Sequence, residues 1–191
     1  MRKLILGFAL LLFGQLSFGQ AVSDNAVIPV SVTLNSILRL TVVSGGNIQF
    51  VVNTIDQYTD GIGNSTRYTT TFTVASSRNF NVFMYSESDA LYGTDAGGAM
   101  PLDNVGYLVV PPATGAGTCQ ATLLALDDLA TKEIVSAWAA GSYSASPFQV
   151  QWELGTTPGG TAGMNAASLL EQSLPADNYV TNVFLTVAAD I

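Results

Sequence analysis

The chain has 191 residues, with fourteen acidic and six basic side chains, a formal net charge of −8, one cysteine and no histidine. The missing histidine removes the commonest general base, every Ser-His or Cys-His nucleophile arrangement and the Cys/His zinc sites. The acidic balance argues against nucleic acid as a partner, because phosphate backbones are bound by Lys and Arg.

Taken in chain order, the first twenty residues, MRKLILGFALLLFGQLSFGQ, place Arg2 and Lys3 before an apolar run from Leu4 to Phe13. Small and polar residues follow at Ser17, Gly19 and Gln20. That order predicts a secretory signal peptide over residues 1–20, cleaved beside Gly19 or Gln20. The apolar run falls short of the roughly 20 residues a spanning helix needs, so the expectation is export without membrane insertion once the leader is gone. Its removal leaves Arg39, Arg67, Arg78 and Lys132 against fourteen carboxylates, a formal charge of −10. The destination is the periplasm, the outer-membrane surface or the extracellular space.

Residues 21–191 read as a single domain, since about 170 residues with a high apolar content bury one sizeable core. Cys119 has no intramolecular partner, so packing and sheet hydrogen bonds must hold the fold. The thiol itself reads as a small buried hydrophobe. The dominant period is two. Ile28, Val30, Val32 and Leu34 alternate with small or polar residues, and after Asn35-Ser36 the pattern resumes at Leu38, Leu40 and Val42. Each run puts its apolar side chains on one face of a strand. Ile48, Phe50 and Val52 predict a further strand after the turn at Ser44–Gly46.

The stretch IDQYTDGIGNST reads as a long loop. Asp56, Asp60 and Asn64 around two glycines form a candidate calcium loop, although Asp-Gly is also ordinary turn chemistry. Tyr68–Val74 and Phe80–Tyr85, separated by SSRN, predict a hairpin, and Val105–Val110 another strand. Residues 119–141 admit a helix by local propensity or short strands. The surrounding pattern favours β, with one helical turn over Asp127–Thr131. Phe148, Val150, Trp152 and Leu154 form the clearest alternation in the chain. A closing run then places Tyr179, Val183, Leu185 and Val187 toward a core and Asn182, Phe184 and Thr186 outward. Seven to nine strands with turn-rich spacers indicate an all-β fold, a Greek-key, immunoglobulin-like sandwich.

No nucleotide, phosphate-loop or serine-hydrolase motif is present, and the expectation is a protein that is not an enzyme and carries no cofactor. Tyr58, Tyr92 and Tyr143, in or beside loops, make a glycan-binding or adhesin module the alternative; Trp152 and Tyr179 read as packing. Phe184 is an apolar ring on the outer face of a chain-terminal strand, the mark of an edge to be covered by the chain's own first strand or by a neighbour's.

The leader ending in FGQ, the opening VSVTLNSILRLTV, the central FTVASSRNFNVFM and the closing LPADNYVTNVFLTV together resemble secreted pilin-like β-sandwich proteins of Gram-negative bacteria. They look most like the spore-coat-U type of domain in archaic chaperone-usher pili. In that family the last strand follows a Pro-Ala-Gly-x-Tyr turn, matched here by Pro175, Ala176, Asp177, Asn178 and Tyr179. Members usually carry a disulfide, which this chain cannot form within itself, and Asp177-Asn178 stands where a glycine is expected. The resemblance implies an exported structural subunit of a surface fibre, its partner a copy of itself or another surface protein. In such a fibre an incomplete sandwich is finished by the N-terminal strand of the next subunit.

Physical magnitudes bear on that implication. Burying Ile28, Val30, Val32 and Leu34 gains roughly 6 to 12 kcal/mol, and ordering the segment costs roughly 1 to 2 kcal/mol per residue. The two terms are of similar size, so the segment orders only where it also makes backbone hydrogen bonds along a sheet edge. That edge belongs either to its own domain, where the tether raises effective concentration, or to a neighbour's.

Overall fold

A computed structural model describes residues 28–126, 131–156 and 160–190. The chain divides into two units, residues 1–34 and 35–191. In the first unit, residues 28–34 contain no strand, and Ile28, Val30, Val32 and Leu34 are 78–91% exposed. The strand expected there is absent.

The second unit is an all-β sandwich of antiparallel sheets. Its strands are β1 (Leu38–Ser44), β2 (Thr69–Ser76), β3 (Phe80–Ser86), β4 (Ala90–Gly93), β5 (Ala99–Pro101), β6 (Val105–Val110) and β7 (Thr118–Cys119). They continue with β8 (Leu124–Ala125), β9 (Lys132–Trp138), β10 (Gly141–Ser142), β11 (Phe148–Leu154), β12 (Tyr179–Val180) and β13 (Val183–Ala189). One sheet runs β1-β2-β11-β6-β8, with β10 also on β2; the other runs β13-β3-β9-β7. A small third sheet, β12-β4-β5, lies outside both orders.

Alternation gives each sheet one buried face. In β2, Phe72 and Val74 are buried while Thr71, Thr73 and Ala75 are half-exposed; in β11, Phe148, Val150, Trp152 and Leu154 are buried. Phe148 sits at the centre of an aromatic cluster. Its ring lies 5.1 Å from Phe72, 5.2 Å from Trp138, 5.7 Å from Tyr143 and 6.2 Å from Phe80. Those rings come from both sheets and from the segment after β10, so this cluster clamps the layers together. Tyr143, expected in a loop, is 5% exposed, its hydroxyl donating to the Ala139 carbonyl at 2.8 Å.

Several expectations are corrected. Phe80–Ser86 does not form a hairpin with Thr69–Ser76, because β3 pairs with β13 and β9 in the opposite sheet. The Ser76 hydroxyl donates to the Arg78 carbonyl and accepts the Arg78 N–H. This tight turn carries the chain across the sandwich, so that the apolar rows of β2 and β3 face each other. Ile48, Phe50 and Val52 keep their alternation and pack against the core but enter no ladder; Phe50 stacks on Tyr68 at 4.4 Å instead.

The stretch read as a loop begins with α1 (Ile55–Asp60), started by a capping box between Thr54 and Gln57 that satisfies otherwise unpaired amides. Thr118–Cys119, Leu124–Ala125 and Lys132–Trp138 are strands, as the surrounding pattern implied. The helical turn expected at Asp127–Thr131 lies, apart from Thr131, outside the described residues. The closing run is two strands, broken at Thr181-Asn182.

Replacing Phe148 by Ala removes the ring shared by four others. The expected loss is about 3 to 5 kcal/mol, read as a lower midpoint in urea unfolding; a loss under about 1 kcal/mol would show that the cluster does not carry the packing.

Candidate functional site

The two margins of the sandwich differ. At one margin the edges are β8 and β7, two residues each, and the chain passes directly between them. The N–H of Val109 in β6 donates to the Gln120 carbonyl at 2.7 Å, and the Gln120 N–H donates to the Ile134 carbonyl in β9 at 3.0 Å. Gln120 therefore stitches the two sheets together. Short, bridged edges of this kind leave little backbone for a foreign strand.

At the other margin the edges are β1 and β13, seven residues each. They approach within 8 Å in places, yet β1 is bonded only to β2 and β13 only to β3. Among the described residues neither edge pairs with a further strand.

Register fixes what lines this cleft. Leu38, Leu40 and Val42 stand opposite Ser76, Val74 and Phe72, and directly opposed residues share a face. Those three partners are buried, yet Leu38 is 36% and Val42 44% exposed. Val183, Leu185 and Val187 stand opposite the buried Ser86, Met84 and Val82, and all three are only half-buried. Two core-facing apolar rows are thus left partly uncovered along one line. Outside it, Phe184 is 41% exposed but stacks on Tyr85 at 5.1 Å, so the ring has a partner within its own sheet.

Asp177 holds the turn that precedes β12. Its carboxylate accepts the backbone N–H groups of Ala96 at 2.7 Å, Asp95 at 3.0 Å and Asn178 at 2.7 Å. The Tyr179 hydroxyl donates to the Pro175 carbonyl at 2.7 Å. Asp177 thereby ties the turn before β12 to the β4-β5 connection. Desolvation opposes its charge, but the N–H donors of Ala96, Asp95 and Asn178 and the Thr94 hydroxyl outweigh it and hold the carboxyl below its ordinary range.

The remaining candidates are dispersed. Asp56 and Asp60 sit at the two ends of α1, and the Asn64 amide donates to Gln151 Oε1 at 3.2 Å. Among the described residues no group of three or more His, Cys, Asp or Glu lies close enough to hold a metal ion. Tyr58 and Tyr92 are exposed, the Tyr92 hydroxyl donating to Asp89, while Tyr143 belongs to the core. Trp152 is buried and donates through Nε1 to the Thr70 hydroxyl at 2.9 Å. Cys119, half-buried opposite Val135, has its thiol pushed up to about 11 by burial, which disfavours the reactive thiolate at neutral pH. Among the described residues no helix is long and apolar enough to cross a membrane.

Compared with known families and curated proteins, the chain matches no family model and no curated protein.

Because the folded-state pKa of Asp177 is lowered, its contribution to stability is present above the unfolded carboxyl value near 3.9. It disappears as pH falls through the lowered folded value. Urea unfolding over a pH series from 7 downward is expected to show Asp177→Asn less stable at pH 7, with the deficit shrinking once pH drops below the ordinary carboxyl value near 3.9 and closing only below the lowered folded value. A deficit that stays constant across the whole series would show that the charge contributes nothing.

Proposed function

We propose that this chain is an exported, non-catalytic structural subunit that associates by strand exchange. Ile28–Leu34 of one copy enters the cleft between β1 and β13 of another and completes its sandwich. The observation that carries this reading is the pairing of two incomplete parts: an exposed segment with four alternating apolar side chains, and two seven-residue edges whose core-facing rows are half uncovered.

The chemistry of the parts is complementary. An inserted strand makes backbone hydrogen bonds to one or both edges and places every second side chain inward. Ile28, Val30, Val32 and Leu34 then meet the rows of Leu38, Leu40 and Val42 and of Val183, Leu185 and Val187. Burial extends to the cleft rows as well as to the incoming side chains, which tips the near balance between burial and chain ordering toward association. Bonding to both edges requires them to part, since strands two places apart in a sheet lie about 9.6 Å apart. Pro29 brings no N–H and suits a position where the ladder needs none. The leader supports export, and the opposite margin, closed through Gln120, directs exchange to one side of the molecule.

Purified full chain is expected to form multimers that electron microscopy resolves as fibres or short rods. Val32→Asp should abolish them while leaving the fold intact, because the segment is exposed in the single chain. Added to Val32→Asp, a synthetic peptide IPVSVTL should raise the thermal midpoint by several degrees through binding to the folded state; a scrambled peptide should not. Assembly unaffected by Val32→Asp, or no shift with the peptide, would overturn the proposal.

A further inference from the structure

We infer a second site, independent of the strand-exchange reading, on the outer face of the β1-β2-β10 region: a dish for a carboxylated sugar unit. It is built by register. Arg39 in β1 and Ser142 in β10 both stand opposite Ala75 in β2, one on each side, about 10 Å apart across three strands. The central residue carries only a methyl group, so the row dips between its taller neighbours. Thr41 and Thr73 form the next row, and Ser144 closes the rim. The resulting cavity of about 180 Å³ is lined by these side chains, with no carboxylate among them. Pockets for drug-sized ligands hold about 300 to 1,000 Å³, so this dish takes one ring or one small group.

Its polar groups are uncommitted. Arg39 is one of the six basic residues of the chain, and it has neither an ion pair nor a side-chain hydrogen bond among the described residues. The Thr73 hydroxyl reaches the Thr41 carbonyl only at 3.5 Å, and the Ser142 and Ser144 hydroxyls lie 3.4 Å apart. Both contacts are at the limit of a hydrogen bond, which leaves the hydroxyls free to donate and accept elsewhere. A guanidinium offers a planar fork matched to a carboxylate. Hydroxyls that both donate and accept match the hydroxyls of a sugar ring. A single cation in a strongly acidic chain suits a monoanion. A phosphate or sulfate would require more donors than the strands supply, since the amides of β2 face neighbouring strands on both sides.

The test is an amide NMR titration of the isotope-labelled full chain with D-glucuronate, with D-glucose and acetate as comparison ligands. Glucuronate should shift the amides of Arg39, Thr41, Thr73, Ala75, Ser142 and Ser144 and bind at least tenfold more tightly than either comparison ligand. Arg39→Gln should weaken it at least tenfold, and Ala75→Leu, which fills the dish while keeping Arg39, should abolish it. An unchanged affinity in Arg39→Gln, or shifts confined to other faces, would overturn the assignment. So would acetate binding as tightly as glucuronate, since the hydroxyls would then contribute nothing.

Discussion

The arrangement of this molecule depends on one cluster of rings. Phe148 is in contact distance of Phe72, Trp138, Tyr143 and Phe80, which belong to both main sheets and to the segment linking β10 and β11. With a single cysteine the chain has no covalent staple, and aromatic burial, worth more per residue than any other kind, takes that part. Packing is tightest where these rings meet. Coverage is poorer along β1 and β13, whose inward rows are only partly buried.

The two margins differ in how their edges are finished. A sandwich has four edge strands, and each is a template for unwanted pairing unless shortened or covered. Here β7 and β8 are reduced to two residues each and bridged through Gln120, whereas β1 and β13 retain full length and apolar inward rows. The same physics that makes a long apolar edge a hazard makes it a binding device when a matching strand is present. The Ile28–Leu34 segment has the length and alternation of such a strand. Asp177 fixes the turn before β12 with one carboxylate on three amides.

Where alternation met at least one hydrogen-bonding neighbour, it was readable from the residues alone. Leu38–Val42, Tyr68–Val74, Phe80–Tyr85, Val105–Val110 and Phe148–Leu154 all became strands. Ile48, Phe50 and Val52 have the same period but no ladder, because period reports which face is apolar and not whether an edge is available for hydrogen bonds. The hairpin expected at Ser76–Asn79 failed for a related reason: a short turn with a serine cap can return a strand to its own sheet or cross to the other. The capping box at Thr54 and Gln57 was legible in the sequence as a Thr-x-x-Gln signal. Tyr143 was not, since its neighbours in sequence are small and polar while its neighbours in space are aromatic.

By itself the sequence determined the fold class, the lack of imidazole chemistry and the face on which each strand carries its apolar side chains. These are local or compositional properties, settled by side-chain type and by the two-residue period of an extended backbone. Tertiary structure alone decided which strands share a sheet, that one margin is closed by Gln120 and the other left open, and that Arg39 and Ser142 flank Ala75. Such features arise from hydrogen bonds between residues far apart in the chain, and no short window of sequence encodes which distant edge a strand will meet.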